Sequence, residues 1–306
     1  MPRTEAPPTE PPTSTTTPSL SVDTTAPGVP PAGTPIPGGP QRTRYVSPPP
    51  PPGPCAETSG QVLRLTFHSN VLLINDPEQR FRVYLPACYR WNTAQRYPTI
   101  YLLHGANVTE SQWEGTGIFG AADRLIASGA IPPALIVLPD AIWTMGSYQY
   151  EPPLLDRLML GEMLPTIDQD FRTIDSPTGR AIGGISRGGE WALIVGARHP
   201  ELFGAIGGHS PAVGLPSTPN TFLVPLFQKR ARPQKVRLDV GTSDSLVGNV
   251  TSLHQAFDAA GIANAFFTGP GGHDDAYWGG NAEAYLRFYA SLWAPSTPQV
   301  APGGTR

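Results

Sequence analysis

The chain reads as an α/β protein, with a mostly parallel sheet, an antiparallel start and helices on both faces. Three observations predict this. The runs PTIYLL at 98–103 and ALIVLP at 134–139 are short and continuously apolar, as suits strands buried on both faces. Segments of helical spacing separate such runs, which implies parallel crossovers. Two early segments instead alternate apolar and polar residues, the pattern of an antiparallel pair with one solvated face.

The elements follow in order. QVLRLTF at 61–67 and RFRVYL at 80–85 are the alternating pair, and Pro86 closes the second. After the strand at 98–103, residues 118–128 have helical spacing and stop at Gly129. The strand at 134–139 leads to a helix over 154–170, with Leu155, Leu158, Met159, Met163, Leu164 and Ile167 on its apolar face and a kink expected at Pro165. GRAIGGIS is a strand running into a glycine-rich turn, followed by a helix over 188–198. Strands are expected at 202–208, 235–241 and 263–268, with helices over 248–260 and 281–293. In such sheets functional groups collect beyond the carboxyl ends of the strands. The loops after 103, 139, 183, 208, 241 and 268 are therefore the places to look for chemistry.

The chain is not uniform along its 306 residues. Eighteen of 38 prolines and 10 threonines fall in the first 54 residues. That segment lacks the apolar surface to offset chain entropy and is expected to be a disordered, extended stalk. The catalytic-domain boundaries expected are 55–295, with a disordered tail over 296–306. About 250 residues make one domain with a sizeable core, which leaves no room for a large second domain. A net charge of −3, with no Lys/Arg block, excludes an electrostatic footprint for nucleic acid. No apolar run approaches the ~20 residues of a membrane span. Nineteen of the 21 basic residues are arginine, which fits a G+C-rich coding sequence better than a stability device.

No basic segment followed by an apolar stretch is visible in the chain, which leaves two readings, a cytoplasmic protein or an exported one whose signal has been removed. A Pro/Thr stalk is commoner on exported surface proteins, which favours secretion or surface display. The two cysteines, Cys55 and Cys88, fit that compartment as a disulfide worth roughly 3–4 kcal/mol, against the alternative of two buried thiols.

Gly184-Ile185-Ser186-Arg187-Gly188 matches G-x-S-x-G. The pentapeptide alone is weak, since 18 serines and abundant glycine give roughly 0.2 chance matches. Its setting is specific: it ends an apolar strand and opens a helix carrying Trp191, Leu193, Ile194 and Val195. A serine on so tight a turn projects its hydroxyl, and the helix N-terminus aims amides at a developing oxyanion. The plainer reading is a glycine-rich turn whose serine caps a helix.

A serine nucleophile needs a base. Among six histidines, His199 ends the helix after Ser186, His254 lies within a helix, and His68 belongs to the antiparallel start. His104 ends the strand YLLHG, where its backbone matters more than its ring, and His209 could line a site or satisfy a loop. His273 sits in GPGGHDDAYWGG after the last strand, on a loop that can reach back over a nucleophile. The best-placed carboxylate to orient it is Asp244 in GTSDSL, which could equally cap the next helix. Asp239 lies inside a strand, and Asp274 and Asp275 are adjacent to His273. The expected oxyanion donors are the backbone N–H groups of Arg187 and Ala106. Trp113, Trp143, Tyr148, Tyr150, Tyr277 and Trp278 fall near these loops. Of these, Trp113, Trp143 and Trp278 are the candidates for stacking on substrate, with plain loop anchoring as the alternative.

The order Ser186, Asp244, His273 is that of the α/β-hydrolases. At these residues the chain resembles the esterase D-like branch of that superfamily. That branch includes feruloyl and acetyl-xylan esterases, S-formylglutathione hydrolase, enterochelin esterase-like proteins and trehalose mycolyltransferases. The resemblance runs through RVYLPACY, YLLHGANVTESQWEG, IPPALIVLPD, EMLPTIDQDFR, GGISRGGEWALIVGARHPELFGAIGGHSP, GTSDSLV and GGHDDAYW, nearly all of 60–293. It implies the α/β-hydrolase fold, the triad and the oxyanion pair; a serine acyl-enzyme mechanism needs no metal or organic cofactor. Arg187 stands where thioester hydrolases and many feruloyl esterases of the branch usually carry Met, which points to the broad group of secreted bacterial esterases. No long insertion between strands suggests a lid.

The expectation is thus a secreted serine esterase acting on acyl or feruloyl esters of carbohydrate, with aromatic polyesters as promiscuous substrates. An acyltransferase shares the acyl-enzyme and differs only in its acceptor. A non-catalytic wall- or carbohydrate-binding protein on the same scaffold is the third reading, which the intact Ser, Asp and His set disfavours. A metal hydrolase is disfavoured because no second histidine has ligand-like spacing. The acyl group, the alcohol and the oligomeric state are not legible in the sequence.

Overall fold

A computed structural model describes residues 44–71, 78–141, 154–216 and 218–293. Its centre is an eight-stranded sheet. The strands are β1 (Gln61–His68), β2 (Glu78–Leu85), β3 (Thr99–Leu103), β4 (Leu135–Pro139), β5 (Arg180–Ile185), β6 (Ala205–His209), β7 (Lys235–Gly241) and β8 (Ala265–Gly269). Their order is β1-β2-β4-β3-β5-β6-β7-β8. The first two are antiparallel to each other, β2 is antiparallel to β4, and every later pair is parallel. The alternating early segments and the apolar later runs thus land where their patterns predict.

Period-2 side-chain direction divides the core in two. Tyr101, Leu103, Leu135 and Val137 face one apolar cluster, while Ile100, Leu102, Ile136 and Leu138 face the other. The first face is covered by the helical stretch 154–170, α5 (Arg187–Arg198), α6 (Asn220–Gln228) and α7 (Val247–Ala259). The second is covered by α1 (Gln112–Gly115), α2 (Ile118–Ala127), α8 (Asp275–Gly280) and α9 (Ala282–Ala290).

Several boundaries differ from the sequence expectation. The 154–170 helix is built as α3 (Leu154–Leu158), a π turn over Met159–Met163, and α4 (Leu164–Asp170). The wide turn lets Pro165 open a fresh α segment, where its missing N–H costs little. Strand β6 starts three residues late because the N–H groups of Leu202 and Phe203 bond back to His199 O, completing the end of α5. Strand β8 starts late for a similar reason, with Ile262 N–H bonded to Phe257 O. The helix expected over 281–293 ends at Ala290. The short helices α1 and α8 carry too few turns for periodicity to reveal them, and α6 carries Pro225 in its interior, which reads as a helix breaker.

Part of the expected stalk docks on the domain. Tyr45 stacks on Phe171 with ring centroids 5.0 Å apart, and its N–H donates to Asp170 at 2.9 Å. The Trp91 indole donates to Gly53 O at 3.0 Å. The folded unit therefore extends back at least to residue 44, and the rest of the expected stalk and the expected tail lie outside the described residues. Cys55 and Cys88 are joined as a disulfide, Cα atoms 5.7 Å apart, which staples this segment to the turn after β2. No helix among the described residues is long and apolar enough to cross a membrane. No inserted lid domain separates the strands among the described residues, and 142–153 lie outside them.

Candidate active site

The site is built where β5 meets α5. Ser186 occupies the turn with φ 54° and ψ −118°, a conformation an L-residue adopts only under constraint. Two close approaches impose it. A Cβ on Gly184 would collide with the backbone of Gly188, and one on Gly188 would collide with the backbone at Leu103 and His104. The turn is pinned further by Ser186 N–H to His209 O at 2.9 Å and Ala212 N–H to Ser186 O at 2.9 Å. The serine therefore projects from the strand end and does not cap the helix: α5 has no side-chain cap bond.

His273, on the loop after β8, places Nε2 2.9 Å from Ser186 Oγ. Its Nδ1 lies 2.8 Å from Asp244 Oδ2. The Asp244 side chain is buried while the ring remains 30% exposed. The other carboxylate oxygen of Asp244 accepts the Leu246 N–H at 2.8 Å. Asp244 does not cap α7, whose N-cap is Leu246 with no side-chain cap bond; one of its oxygens holds the turn before the helix and the other faces the imidazole. That division fixes the tautomer: Nδ1–H donates to Asp244, leaving Nε2 to accept the serine proton.

Ala106 is exposed in the loop after β3, one residue beyond Gly105. An added Cβ on Gly105 would lie 3.5 Å from Ser186 Cβ, so this loop borders Ser186. The N–H of Gly105 itself is occupied by Gln112 Oε1 at 2.7 Å. Arg187 begins α5, and its guanidinium turns to the buried Glu190 at 3.2 Å.

The aromatic candidates fare differently. Trp113 is fully buried, donates to Leu103 O at 2.9 Å and packs edge-on against His209 and Tyr285. It is a core residue that anchors α1, not a platform for substrate. Trp278 is also buried; its indole N–H reaches Ser210 Oγ at 3.2 Å and its ring meets His273 edge-to-face at 5.1 Å. It touches the imidazole and leaves little surface for a ligand. Tyr277 is buried beside it. Trp143, Tyr148 and Tyr150 lie outside the described residues.

His199 caps α5 as expected. Burial opposes its charge, but Asp156 and Glu201 together raise its pKa above the usual value. The His104 ring does more than its strand-end position suggested: fully buried, its Nε2 accepts the Ala141 N–H at 2.9 Å and ties the ends of β3 and β4. Sequence reasoning missed Gln112, which bridges the Gly105 amide to Asp275 Oδ1 at 3.2 Å and so links the loop after β3 to the His273 loop. No spacing rule could find it, because its partners are 7 and 163 residues away. No group of three or more metal-ligating side chains occurs among the described residues.

Comparison with known proteins agrees with this architecture. Residues 75–295 match the family model described as "Putative esterase". The chain is 32% identical over 153 residues to an endo-1,4-beta-xylanase/feruloyl esterase of Xylanibacter ruminicola, covering 47% of this chain and 21% of that protein. It is 30% identical over 240 residues to the iron(III) salmochelin esterase of Escherichia coli, covering 70% of this chain and 56% of that protein. The chain thus spans between about a fifth and just over half of these two relatives. A solved ferulic acid esterase superposes with a TM-score of 0.68 at 28% identity, over 77% of this chain and 99% of that one. Matched across most of its folded length, the chain belongs to the esterase family of carboxylic ester hydrolases on the α/β-hydrolase fold.

Proposed function

We propose that the protein is a serine carboxylic-ester hydrolase working through an acyl-enzyme. The observation that carries the proposal is the continuous relay Ser186 Oγ, His273, Asp244 at 2.9 and 2.8 Å. Ser186 Oγ attacks the ester carbonyl while its proton passes to His273 Nε2. The carbonyl oxygen becomes an oxyanion held by the N–H groups of Ala106 and Arg187. Collapse breaks the bond to the alcohol, which leaves with the proton from His273. Water then attacks the acyl group and gives a proton to His273, which passes it to Ser186 Oγ as the acid departs.

The substrate class we propose is acyl or feruloyl esters of carbohydrate, with aromatic polyesters as side substrates. The feruloyl esterase relatives support the acyl half of this reading. The disulfide between Cys55 and Cys88 supports an exported protein. The test is a hydrolysis panel of p-nitrophenyl acetate through decanoate, methyl ferulate and S-formylglutathione, each with Ser186→Ala alongside. Activity that disappears in the variant and favours methyl ferulate is the expected result. Equal rates in both proteins, or none in either, would overturn the assignment.

A further inference from the structure

Beneath the site, and unused by the reaction above, lies a second histidine–aspartate pair. His209 and Asp239 are both buried and face each other in register, His209 at the end of β6 and Asp239 within the adjacent β7. His209 Nδ1 lies 2.7 Å from Asp239 Oδ1, and Nε2 lies 2.8 Å from the Tyr289 hydroxyl. The second Asp239 oxygen accepts from Tyr285 at 2.8 Å and from Tyr277 at 3.3 Å. Arg237 Nε approaches Asp239 Oδ1 at 3.3 Å, and Tyr285 stacks on the His209 ring at 3.7 Å. Every polar atom of the pair has a partner, which is the condition for keeping such groups in a core. The strands make room for it: a side chain on Gly183 or Gly207 would collide with the Tyr289 hydroxyl.

We propose that this pair, with Ser210, is a positioning device for the base: it fixes α8, and through α8 the His273 ring, in line with Ser186. The inference rests on the ester-hydrolase reading for its kinetic consequence. Three links carry it. The carbonyl of His209 accepts the Ser186 N–H, tying the pair's strand to the nucleophile's turn. Tyr277 and Trp278, four and five residues after His273, reach into the network through Asp239 Oδ2 and Ser210 Oγ. Ser210, with φ 46°, is itself held by its N–H to Asp239 O at 2.7 Å, and Trp278 meets the His273 ring directly. The network thus touches both turns that must stay within hydrogen-bond reach of each other.

Its electrostatics suit a static support. Burial lowers the His209 pKa, outweighing Asp239, so the ring is held neutral with its proton on Nδ1. Burial pushes the Asp239 carboxyl up, but the hydrogen bonds from the His209 N–H and the Tyr285 hydroxyl and the charge of Arg237 more than offset it and hold it below the usual carboxylate value.

The test uses Tyr277→Phe and Trp278→Phe, which keep most of the ring volume and delete the polar tips. With p-nitrophenyl acetate, and with concentrations set by intact folded protein, kcat is expected to fall roughly 10-fold in each while KM is unchanged. The rate of Ser186 labelling by a fluorophosphonate is expected to fall in proportion. A merely structural role would lower the unfolding temperature but leave kcat and the labelling rate per folded molecule at the parent value, and that result overturns the proposal. A second readout needs no ester. The low-field imidazole N–H resonance of His273, identified by its loss in His273→Ala, is expected to shift in Tyr277→Phe, which leaves the Trp278 ring and its shielding of the imidazole in place. A resonance that stays in place would sink the positioning role whether or not the protein hydrolyses esters. Absent hydrolysis in the parent would instead count against the reading of the site.

Discussion

Replacing Asp244 by asparagine tests the relay with almost no change of shape. In the parent the carboxylate divides its oxygens, Oδ1 to the Leu246 N–H and Oδ2 to His273 Nδ1. An amide has one oxygen. If it stays with Leu246, the NH₂ faces Nδ1 and forces the proton to Nε2, where it can only donate to Ser186. If it turns to His273, the NH₂ confronts the Leu246 N–H. The first arrangement loses the base outright. The charge loss can be sized from the 2.8 Å separation: at an effective dielectric of about 20, a carboxylate and an imidazolium attract by about 6 kcal/mol. The ring is 30% exposed, so solvent screening reduces this to about 3–5 kcal/mol. That corresponds to a fall in kcat of about 10²–10⁴-fold with little change in KM. Steady-state kinetics on an active ester, with folding checked by circular dichroism, provides the measurement. A folded variant within a factor of about three of the parent would refute the role of Asp244.

Further outcomes follow from other parts of the molecule. Gly184→Ala should destabilise by about 1–3 kcal/mol and abolish activity, because the new methyl meets backbone that cannot step aside; urea unfolding and an esterase assay check both. Cys88→Ser should cost about 3–4 kcal/mol in denaturant unfolding under oxidising conditions while kcat stays near the parent value, since the bridge spans 33 residues remote from Ser186 in the chain. His209 should not gain a proton as pH falls through about 6.5, its ordinary value, because burial depresses its pKa. The unfolded chain then binds a proton that the native state refuses, so this group lowers stability as pH falls below about 6.5. Histidine ring resonances followed through that range, with the urea midpoint at each pH, would show it; a His209 resonance that titrates normally would contradict it.

The sequence by itself determined the skeleton. Continuous apolar runs and alternating runs differ in how many faces they bury, so they separated the parallel strands from the antiparallel pair. Ser186 was legible because a nucleophile on a strained turn demands glycine at fixed short offsets. His273 and Asp244 were legible from their places after strands, as loops that converge on one edge of a parallel sheet. Tertiary structure alone decided the rest. Trp113 and Trp278 sit near the site in sequence, yet their rings turn inward, because an indole buries much apolar area once its N–H finds a partner at Leu103 or Ser210. Residues 44–54 dock because Asp170 and Phe171, far along the chain, offer a charge and a ring that local composition cannot reveal. Asp239 read as an ordinary strand residue. Apart from Arg237, two residues back on the same strand, its side-chain partners His209, Tyr277 and Tyr285 are 30 to 46 residues distant, and such contacts exist only after the fold has brought them together.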